Sequence, residues 1–155
     1  MKRRTLLAAA VATPALLGLR LDAARAATPA AVPDLPSLTL YDARLPVAER
    51  AAWHLHRRGA SARPTGGEIA GLLLRERLFD TDGPILGITG HAEYLLAGDI
   101  ARSAGRRVTP LLRLGRAPEW LAEPGQDGWQ PLLASLLADA VQDHNGATAF
   151  AWIAG

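Results

Sequence analysis

The chain has 155 residues, no cysteine and a single lysine, Lys2, and its 17 basic and 15 acidic residues give a formal net charge of +2. Without cysteine there is no disulfide staple, thiolate nucleophile, iron–sulfur ligand or covalent c-type haem attachment, and beyond Lys2 there is no amine for a Schiff base or a phosphate-binding loop. The roughly 129 residues after the first 26 suffice for one domain folding on one hydrophobic core.

The first 26 residues read as an export signal. Lys2, Arg3 and Arg4 make a basic start, an Ala- and Leu-rich run continues to about Leu21, and Ala24-Arg25-Ala26 forms a small-residue cleavage site, so the mature chain is expected to begin at Ala27. Arg3-Arg4 followed by Thr5-Leu6-Leu7 resembles the twin-arginine (Tat) signal, over these residues alone. Lys2 before the pair and Leu6 in a place where Phe is common depart from that pattern and leave the Sec route as the alternative. The resemblance implies the Tat machinery as a partner and a periplasmic or secreted location. Pro14, Gly18 and Arg20 interrupt the apolar run, which falls short of the ~20 residues a bilayer span needs, so no stable membrane anchor is expected. The signal holds five basic residues (Lys2, Arg3, Arg4, Arg20, Arg25) and one acidic residue, Asp22, leaving 12 basic and 14 acidic residues behind it. The basic balance thus belongs to the address label, and nucleic acid is not expected as a partner.

Residues 27–37, with three prolines, read as a flexible leader to a single α/β domain over 38–155. Leu38-Thr39-Leu40-Tyr41 is a first strand, followed by Asp42-Ala43-Arg44 and a helix with Pro46 in its first turn and Gly59 past its end. On a 100° wheel Val47, Ala48, Ala51, Ala52 and Leu55 share one side of that helix and Trp53 falls nearly opposite, where it is either an interface anchor or covered by a loop. Residues 60–64 make a weak edge strand ending in proline. Thr65-Gly66-Gly67-Glu68 fits a capping box and predicts a helix from about Gly67 to Phe79. Asp80-Thr81-Asp82-Gly83-Pro84 is a turn; its Asp-x-Asp-Gly lacks the spaced glutamate of a calcium loop.

Ile85 to Ile88 is the most continuous apolar run and predicts a central strand, closed by Thr89-Gly90 and feeding a helix from about His91 to Ala104. Ala92, Leu96 and Ile100 mark that helix's apolar side, with Asp99 and Ser103 nearby. Residues 106–114 predict a fourth strand that Pro110 forces to bulge, to begin at Leu111 or to lie at an edge. Residues 115–128 read as a loop with a short turn around Trp120. Leu132, Leu133, Leu136, Leu137, Ala140 and Val141 recur at helical spacing until Asn145-Gly146, and 147–153 closes the chain as a strand. This alternation predicts a small three-layer α/β domain, flavodoxin-like in outline, with a mainly parallel sheet of four to five strands.

In a doubly wound sheet the crevice for ligands lies at the carboxyl ends of the strands. Asp42, Arg44, Thr89, Gly90 and His91 are the candidate ligand-binding residues there, beside Tyr41; helix-start N–H groups and a guanidinium suit a small anion. The competing reading pairs Asp42 with Arg44 and leaves Thr89 as a cap. His91 and Asp42 are the acid–base candidates if the site is catalytic. His54 and His56 point about 200° apart on a helix, against the i, i+4 spacing of a helical zinc pair, and His144 sits at a helix end, so no metal site is expected. No Gly-x-Ser-x-Gly elbow and no Gly-x-Gly-x-x-Gly fingerprint appear, and no cofactor is expected. The favoured function is therefore an exported accessory or binding protein without a catalytic set, with an exported protein as its partner. The alternative is a small enzyme or anion-binding domain working through the crevice.

Overall fold

Leu38–Tyr41 (β1) lies between Ser61–Pro64 (β2) and Ile85–Gly90 (β3), both parallel to it. The computed structural model describes residues 35–115, 118–123, 129–140 and 148–155; the expected export signal, most of the expected leader, His144 and the expected helix stop at Asn145-Gly146 lie outside the described residues. The remaining elements are Pro46–His56 (α1), Ile69–Arg75 (α2), His91–Ser103 (α3), Val108–Leu114 (β4), Glu119–Trp120 (β5), Gln130–Ala140 (α4) and Ala149–Ala154 (β6), with a 3-10 turn at Leu78–Asp80. Among the described residues no helix is long and apolar enough to cross a membrane.

The α/β class is as predicted, and β3 sits inside the sheet, but the sheet is mixed and has six strands in the order β2-β1-β3-β6-β4-β5. β6 is antiparallel to both β3 and β4, so the expected mainly parallel, flavodoxin-like sheet is corrected. The cause is β5. Two residues, Glu119 and Trp120, read from sequence as a loop turn, pair antiparallel with Arg113 and Leu112 and reverse the chain before α4. The α4 crossover then joins two strands of one direction, β5 and β6, as such crossovers do; β6 drops between β3 and β4, opposite in direction to both. β4 carries its irregularity between Pro110 and Leu112, the bulge being one of the three predicted outcomes.

Helices cover both faces of the sheet. On one face Val47, Ala48, Ala51 and Leu55 of α1, with Leu133 and Leu137 of α4, meet Leu86, Ile88, Leu112 and Ala151. On the other, Ile69 and Leu73 of α2 and Ala97 and Ala101 of α3 meet Leu40, Ile85 and Trp152. The predicted inward stripe of α1 is buried in full, and Trp53 stands 52% exposed on its outer side.

Two local expectations fail. The capping box does not form: α2 is the short Ile69–Arg75, no side chain caps its start, and Gly66 and Gly67 both take left-handed backbone (φ 63° and 82°) that unwinds the segment before it. In α3 the buried stripe is Glu93, Ala97 and Ala101, while Leu95 and Leu96 face outward and Asp99 is an exposed partner of Arg102.

Two side chains lock β6 to β3 and to the turn before it. Arg106 donates to the carbonyls of Thr81 (3.1 Å), Gly83 (2.6 Å) and Ala154 (3.2 Å), binding the turn before β3 to the end of β6. Trp152 lies over Gly87, its register partner, where a side-chain carbon would fall 1.9 Å from the indole; only glycine leaves that space.

Candidate functional site

β1 and β3 are parallel neighbours whose following helices part: α1 crosses to one face and α3 to the other. This is a topological switch point, the place outside the strand ends where α/β sheets put their ligand crevices. Asp42 closes β1 there, its amide donating to the Ile88 carbonyl of β3 (3.0 Å), and the space a side chain would take at Gly90 lies 4.0 Å from Asp42 Oδ2. Asp42 therefore lies beside both Arg44 and Gly90.

Asp42 is only 4% exposed. Arg44 grips it with both prongs, Nε to Oδ1 and Nη2 to Oδ2, each at 2.8 Å, and the Arg44 backbone amide adds a third bond at 3.0 Å. The Arg44 hydrogen bonds outweigh the cost of burial and hold the Asp42 carboxyl below its ordinary range, so the pair is ionic at neutral pH. The Arg44 side chain is 72% exposed, and its guanidinium lies 3.7 Å from where a side-chain carbon on Gly67 would stand.

Thr89 and His91 stand elsewhere. The strand's alternation turns Thr89 into the α2–α3 face, fully buried, where its hydroxyl accepts the Trp152 indole N–H at 3.0 Å. The His91 ring packs edge-on against Phe150 (5.3 Å between centroids), over β6 rather than β1. Gly90 caps α3 with extended backbone and no side-chain bond.

The residue missed in the sequence is Glu93. It is 6% exposed, in the first turn of α3, with Oε2 accepting the Thr65 hydroxyl at 3.1 Å. Oε1 is buried with no hydrogen-bond partner. Burial raises its carboxyl above the ordinary glutamate range; the Thr65 hydroxyl pulls the other way, while the Asp42 charge adds to the rise and Arg44 and the Ile69 N–H oppose it. The periodicity carried the signal, since Glu93 shares a four-residue spacing with Ala97 and Ala101, a stripe of small residues on which α3 packs.

Two neighbouring carboxyls thus sit in environments that push them apart, one fixed as an anion and the other biased toward its neutral form. Such an arrangement can receive a hydrogen-bonding ligand and hold a proton at a defined oxygen. Among the described residues no group of three or more His, Cys, Asp and Glu could hold a metal ion.

No protein-family model, curated protein or solved structure matches this chain.

Proposed function

We propose that this is an exported binding protein, working without a catalytic set, that takes a small anionic ligand in the crevice between β1 and β3. The observation that carries the reading is Glu93 Oε1, a buried oxygen that closes no hydrogen bond of ordinary geometry although the Ile69 N–H lies near the carboxyl, beside the Asp42–Arg44 pair. Native proteins leave few such atoms, and an unfilled one at a strand-end crevice suits a ligand or an ordered water. Arg44 supplies the cationic element. Its Nε and Nη2 face Asp42, leaving further N–H groups of the guanidinium for an anion, and Asp42 is already neutralised by the pair. The start of α3, uncapped by any side chain, adds a weak positive field.

The test is native mass spectrometry of the periplasmic form, followed by titration of the molecule it carries into Arg44→Ala and Glu93→Ala variants. Loss of about 1.5–3 kcal/mol of binding is expected for Arg44→Ala, the range for a hydrogen bond to a charged group. A ligand that binds both variants as it binds the parent removes the crevice reading.

A second reading, an accessory protein docked on an exported partner, is favoured by Leu74 of α2 with Leu95 and Leu96 of α3, large apolar side chains all standing exposed on one layer. Co-purification of a stoichiometric protein, lost on changing Leu95 and Leu96 to Ser, would establish it.

A further inference from the structure

At the sheet edge, on the α1 face and so away from Glu93, a cleft of about 190 Å³ opens between α1 and the β1–β2 pair. Tyr41 and Ala62 line it from the strands, and Glu49, Ala52, Trp53 and His56 from the helix. Three features of this cleft are not required by the packing of the core. Trp53 is half exposed on the polar side of a helix whose core face is complete without it. Tyr41 packs only partly against the core cluster. Glu49 presents an exposed carboxylate that forms none of the ion pairs found among the described residues.

We propose that this cleft is a binding site for a small organic cation of the quaternary-ammonium class, held between Trp53 and Tyr41 and balanced by Glu49. The proposal does not rest on the crevice reading. Aromatic faces carry negative quadrupole potential, with Trp the best of them, and two aromatics with one carboxylate form the chemistry that recognises a methylated ammonium. Ala52 and Ala62 offer methyl groups that suit the N-methyls of such a cation, and His56 Nδ1 is already engaged with the Ala60 carbonyl at 3.1 Å. The Arg57 guanidinium already stacks on one face of the Trp53 ring, 4.8 Å from its centroid, so a second cation would take the other face. Arg57 is not among the residues lining the cleft.

Choline and its uncharged isostere 3,3-dimethylbutanol are the probes, titrated by calorimetry into the mature protein and its variants. The parent should bind choline saturably and the neutral isostere about tenfold more weakly, the difference being the charge. Trp53→Ala should abolish choline binding, Trp53→Phe should retain part of it, and Glu49→Gln should weaken it about three- to tenfold. Trp53 and Glu49 are both exposed, and thermal melting of each variant, unchanged from the parent, separates loss of the site from loss of the fold. Equal binding of choline and its isostere would make the cleft merely apolar and overturn the proposal. Absence of choline binding by the parent, or binding unaffected in both Trp53→Ala and Glu49→Gln, overturns it as well.

Discussion

The Thr65 hydroxyl donates to Glu93 Oε2 at 3.1 Å, joining the end of β2 to the first turn of α3 within the electrostatic reach of the Asp42–Arg44 pair. Because burial raises the Glu93 carboxyl, the native state binds its proton more readily than the unfolded chain does. The stability Glu93 contributes is therefore full below the ordinary glutamate range and falls as pH rises through the raised value. Glu93→Gln mimics the neutral acid and should gain on the parent as pH rises from 4 to 8. Urea denaturation of both proteins across that window checks this; a parent–variant difference that is flat or moves against Gln would refute it.

Asp42 carries the opposite sign. Its carboxyl is depressed by the Arg44 hydrogen bonds, so the native state releases its proton more readily and the pair's stabilisation is present above the ordinary aspartate range. It is lost as pH falls through the depressed value. Asp42→Asn should therefore be less stable than the parent at pH 7, with the gap closing toward pH 3. Denaturant midpoints at the two pH values measure it.

Gly87→Ala should destabilise the domain by about 3 kcal/mol or more, since a side-chain carbon there would lie 1.9 Å from the Trp152 ring in the middle of the sheet. Trp152→Leu in the same chain should recover part of that loss, because the collision disappears with the indole. Non-additivity in a double-mutant cycle is the readout.

Thr89→Val keeps the volume at a buried position but strands the Trp152 indole N–H. The expected cost is about 1–3 kcal/mol, because the Thr89 hydroxyl is the buried acceptor of that N–H. A Thr89→Val protein of parental stability would show that the indole finds another acceptor.

The export reading predicts a periplasmic protein that begins at Ala27, by intact mass, and a block to export when Arg3 and Arg4 are both changed to Lys. Normal export of the double variant would assign the chain to the Sec route.

Where a pattern is local, the sequence alone determined the outcome. The inward stripe of α1, Pro46 at its start and the edge position of β2 follow from spacing or from proline's missing donor, while at Pro110 that missing donor left three outcomes of which the fold took the bulge. Only the tertiary structure decided the direction of β6, because two residues, Glu119 and Trp120, reverse the chain, and a strand that short has no periodicity to read. The same holds for the crevice. Asp42, Arg44 and Gly90 were foreseen as neighbours from the rule of strand ends, but Thr89 turned into the core because alternation along β3 meets an indole contributed from Trp152, 63 residues away. Glu93 entered for the converse reason: a carboxyl on the packed stripe of a helix is expelled or paired according to what lies opposite, and here Thr65, from another strand's end, supplies the hydrogen bond that lets it stay buried.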